Sequence, residues 1–350
     1  MTRYRSRRAA SIENPFLRVT VLEEGGHIAE ITDTASGVNP LWTPGWPSIE
    51  PSAYEPATHA LYGGGVDAPL LAGIMGHNLC LDIFGGPSEA EARAGLPVHG
   101  EVSTARFAIE AGTTSLTLRA TLPHAQLRFE RRLELVGRAV RVCEEIENLT
   151  AADRPIGWTQ HVTLGPPFLD ERTEFRATAT RSQVIEGTFG PADYLADGAP
   201  FDWPHAPRRL GGTADLRRYP GTSPSSGYTA HLMDPARSHA WFAAFAPAAA
   251  LVFGYIWRRT DFPWLGIWEE NRARLSAPWN AQTVTRGMEF GVSPFPETRR
   301  QMIDRGPLFG TPTCGWVPAR GRVTVEYWAI LRGADAVPDN LPWPGDGFSG

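Results

Sequence analysis

Apolar and polar residues alternate with a period of two along most of this chain, the spacing of half-buried β-strands and not of helices. Phe16–Leu22 alternates, and His27–Ile31 follows a Gly25-Gly26 turn. Ser115–Ala120 and Leu127–Arg131 alternate strictly, and Ala139–Glu147, Pro155–Leu164, Glu174–Thr180 and Arg322–Leu331 behave alike. The longest apolar stretch, Ala240–Tyr255, is broken by Pro247 and Gly254 and predicts two core strands around a turn. Only Ser88–Ala94, with Pro87 before it and Gly95 behind, carries a helical signature. Segments 40–67, 186–225 and 291–316 are rich in proline and glycine and predict long ordered loops, where function concentrates on a strand scaffold. The pattern predicts an all-β protein, a large antiparallel β-sandwich. It assigns one domain to residues 14–335, a basic solvated arm to 1–13 and a tail to 336–350.

Composition supports this and removes several chemistries. Glycine and proline number 36 and 31 of 350 residues, well above the usual ~12%, which suits short strands joined by turns. All 33 basic residues are arginine. Without lysine there is no Schiff-base amine, no pyridoxal-phosphate anchor and no phosphate-loop lysine. The net charge of −5 argues against a nucleic-acid partner. No run approaches the ~18 apolar residues of a membrane span. Cys80, Cys143 and Cys314 are odd in number and far apart, which points to reduced thiols and a cytoplasmic setting.

Chemistry therefore falls to His, Asp, Glu, Tyr or Arg. His99 lies between Pro97 and Gly100 at the opening of an expected strand, with Glu101 two residues on. His161 lies inside an alternating strand, and the apolar strand through Trp264 and Trp268 ends in Glu269 and Glu270. Neighbours on a strand face opposite sides, so only one of these glutamates can enter a given site. Twelve tryptophans, several of them in or beside expected loops (Trp42, Trp46, Trp203, Trp264, Trp268, Trp279), suit either sugar stacking or a large core.

In order and spacing these motifs resemble the galactose mutarotase (aldose 1-epimerase) superfamily. The resemblance runs from Gly25-Gly26-His27-Ile28-Ala29 and Asn39-Pro40-Leu41-Trp42, through His99-Gly100 and His161, to Glu269 before Pro278-Trp279-Asn280. It implies a mutarotase-like supersandwich and an isomerase that interconverts sugar anomers without metal or organic cofactor, acting as a monomer or homodimer. It also implies roles: Glu269 as general base at the anomeric hydroxyl, His161 as general acid at the ring oxygen, and His99 as a hydrogen-bonding partner of the sugar. Glu270 remains the alternative base.

The chain departs from the family where an Asn-Arg pair precedes the first histidine; here His77-Asn78 stands without arginine. His77 and Asn78 are therefore candidate substrate contacts, together with Glu101, Trp268, Glu270 and Asp202. The Arg258-Arg259 pair before Asp261 is either a phosphate or uronate contact or a solvated strand end. Two other functions stay open: a non-catalytic sugar-binding protein on the same fold, and a metal-dependent enzyme using His77, His99, Glu101 and His161.

Overall fold

The computed structural model describes residues 2–346. Among these residues the strands form two large antiparallel sheets, of twelve and eight strands, and one small hairpin. The larger sheet runs, in spatial order, through Thr2–Tyr4, Arg7–Glu13, Leu17–Leu22, Ile28–Asp33, His77–Asp82, Arg154–Leu164, Val284–Gly291, Trp264–Asn271, Ser225–Met233, Ala179–Val184 and Pro200–Asp202. Gly315–Val317 pairs onto one end of Arg154–Leu164. The smaller sheet runs through Glu174–Ala177, His239–Ala246, Leu251–Arg258, Arg322–Gly333, Ala139–Asn148, Leu127–Val136, Ser115–Leu122 and Ala108–Ala111.

Alternation explains which face each strand buries. Along Ser115–Leu122 the leucines and Ala120 point inward and the intervening residues outward, as in a sheet with one solvated face. Ser225–Met233 and Trp264–Asn271 are instead buried at every position, because long loops cover the outer face of the larger sheet. Between the sheets lies the main apolar core, which includes Leu79, Val162, Phe253, Tyr255, Leu265, Met288 and Phe290.

That core also holds charge. The Arg131 guanidinium donates to Glu144 at 2.7 Å and to the Gly26 carbonyl at 2.9 Å. Glu144 further accepts from Trp158, Gln160 and Tyr327. A buried ion pair needs such a full set of partners to offset its desolvation.

The expected N-terminal arm differs from the sequence reading, and residues 347–350 of the expected C-terminal tail lie outside the described residues. Arg7–Glu13 is not a solvated arm but a strand paired with Leu17–Leu22. Arg7 is wholly buried, its guanidinium held by Glu50 and by the Gly73 and Glu24 carbonyls. Charge count alone hid this, because a guanidinium with that many acceptors can enter the interior. At the other end, Val337 and Leu341 pack with Trp241 and Trp328 on the outside of the smaller sheet. The expected helix appears as Glu89–Arg93, capped by Ser88, and two further short helices occur at Ala68–Gly73 and Arg299–Asp304. Among the described residues no helix is long and apolar enough to cross a membrane.

Candidate active site

The site grows out of one strand. In Arg154–Leu164, Gln160 turns into the inter-sheet core and His161 turns to the outer face of the larger sheet. The antiparallel register sets Glu289 directly beside His161 on one side and Asn78 on the other. His161 Nε2 lies 3.1 Å from Glu289 Oε1, and its Nδ1 lies 3.0 Å from the Thr163 hydroxyl. Glycine makes room for both the carboxylate and its surroundings. A Cβ on Gly287, two residues before Glu289 on the same face, would stand 2.3 Å from Glu289 Oε1. A Cβ on Gly266 would stand 2.0 Å from the Tyr228 hydroxyl, which donates to the Pro294 carbonyl.

His99 reaches the same place from a turn, not a strand. It takes a positive φ of 66° ahead of Gly100, and its ring centre lies 5.0 Å from that of His161. The His99 Nδ1 lies 2.6 Å from the Phe84 carbonyl. A carbonyl can only accept, so Nδ1 carries the proton and Nε2 keeps a lone pair. Around these groups is a cavity of about 190 Å³ walled by Trp268, Trp279, Phe84 and Tyr228, with Asp67 and Arg274 among its polar lining. The Arg274 guanidinium sits 4.8 Å from the Trp279 ring centre and 5.7 Å from that of Trp268.

Burial governs the protons here. It pushes the Glu289 carboxyl well above the usual carboxylate range. It drives the His161 imidazole well below the usual histidine range, with His99 adding to the effect, and lowers His99 itself to about 4. At neutral pH the pair thus holds one proton between a carboxyl and an imidazole. That arrangement offers one proton donor and one proton acceptor at a single point.

No protein-family model matches the chain. No curated protein matches it by sequence. Solved structures do match. A Klebsiella pneumoniae protein, assigned provisionally as an aldose 1-epimerase, superposes with a TM-score of 0.64 at 13% identity, over 92% of this chain and 78% of that one. This chain has the galactose mutarotase-like fold. Two further structures carrying that description agree: a galactose mutarotase-like protein from Clostridium acetobutylicum (TM-score 0.60, 11% identity, 95% and 97% covered) and a galactose mutarotase related enzyme from Lactobacillus acidophilus (TM-score 0.58, 12% identity, 95% and 100% covered).

Within this mutarotase-like fold only part of the expected residue set converges. His161, His99 and Trp268 line the cavity. Glu269 does not: it points into the inter-sheet core, where Ser225 donates to it at 2.6 Å, Tyr194 at 3.2 Å and Arg286 at 3.3 Å. Glu270 lies on the cavity side of the strand, but it accepts from the Ala273 and Arg274 backbone amides and so fastens the following loop. The carboxylate that meets His161 is Glu289.

The other candidates scatter. His77 faces the core, bonded to Tyr255 and Gln160. Asn78 is wholly buried beside His161, with neither amide atom partnered. Glu101 sits in a single helical turn, where its carboxylate accepts from the backbone amides of His124 and Ala125. Asp202 is exposed on the edge strand opposite Arg181. The His77, His99, Glu101 and His161 set is therefore not assembled, and among the described residues no three His, Cys, Asp or Glu side chains are grouped to hold a metal ion. Sequence reasoning passed over Glu289, Arg274 and Asp67. A signal for Glu289 was present: a lone glutamate on an apolar strand, two residues after a glycine on the same face, marks a face that side chains do not fill.

Proposed function

We propose that the cavity at His161 binds a monosaccharide and interconverts its anomers. The contact between His161 and Glu289, 3.1 Å apart at the cavity wall, carries the reading. The cavity, at about 190 Å³, is below the roughly 300–1,000 Å³ that suits drug-sized ligands, so a single ring is the fitting size. Trp268 and Trp279 offer apolar faces for the sugar's C–H groups.

In the opening step the protonated Glu289 carboxyl gives its proton to the ring oxygen while the neutral His161 imidazole takes the proton from the anomeric hydroxyl. The bond between the anomeric carbon and the ring oxygen breaks, leaving an open-chain aldehyde, a Glu289 carboxylate and the proton now on His161. Rotation about the adjacent carbon–carbon bond turns the other carbonyl face to the ring hydroxyl, and the reverse transfers close the ring and restore the pair. His99, with its Nε2 lone pair, accepts a hydrogen bond from a sugar hydroxyl and orients the ring.

The test follows freshly dissolved sugars by polarimetry or NMR across a panel of aldoses. Acceleration of at least one is expected, with Glu289→Gln and His161→Ala each losing about 10²–10⁴-fold. Parent rates equal to the uncatalysed rate for every sugar overturn the proposal, and binding without interconversion assigns the site to sugar binding alone. Equal rates in parent and variants overturn the roles given to the pair.

A further inference from the structure

A second hollow, of about 400 Å³, opens on the flank of the sandwich. Its walls come from Arg154–Leu164, Gly315–Val317 and Arg322–Gly333, together with the turn after Leu251–Arg258. It shares no lining residue with the cavity at His161, so its chemistry is independent of the reaction proposed above.

Three observations define what it would hold. Asp261 lines it, and the carboxyl atom Oδ2 is buried without a hydrogen-bond partner. Burial raises this carboxyl above its ordinary range, with Arg258 pulling the other way. An unpartnered acceptor at the wall of the hollow gains from a ligand donor that reaches it. Trp316 also lines the hollow and is 60% exposed, a large indole face left open to solvent. Arg259, Thr260 and Thr311 add donors and hydroxyls around the same space.

The charge balance decides the ligand class. Of the two arginines in the Arg258-Arg259 motif, Arg258 lies over the Trp343 ring at 5.8 Å and does not line the hollow. One guanidinium, from Arg259, lines the hollow with one carboxyl, from Asp261, while the charges of Arg258 and Glu326 nearby act on that carboxyl in opposite senses. Such a site has no excess positive charge for a phosphate or a uronate. We propose that this flank hollow is a second carbohydrate-binding site, which takes a neutral sugar by stacking its C–H face on Trp316 and hydrogen-bonding its hydroxyls to Asp261 and Arg259.

The experiment titrates glucose, galactose, maltose, cellobiose and glucuronate into the full chain, with binding read by calorimetry and ligand-observed NMR. Parent, Trp316→Ala, Trp316→Tyr and Asp261→Asn are compared at matched melting temperatures. At least one neutral sugar is expected to bind about tenfold or more weakly to Trp316→Ala and to Asp261→Asn. Trp316→Tyr should recover much of the loss, and anomer interconversion should not change in any of the three. A panel in which no neutral sugar responds to either substitution, including one in which nothing binds, overturns the proposal. So does binding of glucuronate alone.

Discussion

At Gly287 the missing side chain does more than permit a turn. The glycine is in regular strand, yet the place its Cβ would occupy is filled by the Glu289 carboxylate. Gly287→Ala should therefore push that carboxylate away from His161 while leaving the sheet intact, since the obstructing atom is the movable end of a side chain. A displacement of about 1 Å at a reacting group costs roughly 10²-fold in rate. The expected outcome is a fall of that order in anomer interconversion with a melting temperature close to the parent's, measured by NMR exchange and calorimetry side by side. Unchanged activity would show that the carboxylate position does not matter. The contrast with Glu269 is instructive at the same scale: both glutamates are buried, but one is bonded by three side chains in the core and the other faces a cavity. A one-dimensional pattern shows that both sit on apolar strands and that Glu289, unlike Glu269, follows a glycine two residues earlier; it does not show which face of each strand meets the cavity.

Strands were the most legible elements. Alternation located Ser115–Leu122, Leu127–Val136, Ala139–Asn148 and Arg154–Leu164, because each has one face that must leave water. It failed for Arg7–Glu13, which opens on Arg7-Arg8 and where burial of the first arginine depends on acceptors supplied by Glu50, Gly73 and Glu24, distant in sequence. The same kind of long-range partnership explains the internal ion pair. Arg131 and Glu144 belong to neighbouring strands and are 1% and 0% exposed. Glu144→Ala strips the guanidinium of its counter-charge in the interior, for which the expected cost is about 3–5 kcal/mol. Urea denaturation checks it, and a loss under 1 kcal/mol would mean that water or a neighbouring carbonyl takes over.

For the molecule as a whole, buried histidines set the response to acid. His27 and His231 are fully buried and are lowered from 6.5 to about 3, chiefly by desolvation. Below pH 6.5 the unfolded chain binds protons at these imidazoles and the folded chain does not. Stability is therefore complete above that pH and falls as the pH drops towards 3. Between pH 6.5 and 5 the two together should lower stability by about 3 kcal/mol, and the lowered imidazoles of His77, His99 and His161 add to that loss. Denaturant midpoints at pH 7, 6 and 5 test this; His231→Gln should flatten the slope, and a midpoint that does not move would refute the account.

Gln160 and His161 are adjacent in the chain yet belong to different compartments, one tied into the ion-pair lattice between the sheets and the other open to the cavity. A single peptide unit thus serves as a bulkhead. Variation in the ligand-facing lining can retune selectivity without taxing the reservoir of cohesion underneath, whereas slippage of that strand by one position would flood both chambers with the wrong chemistry.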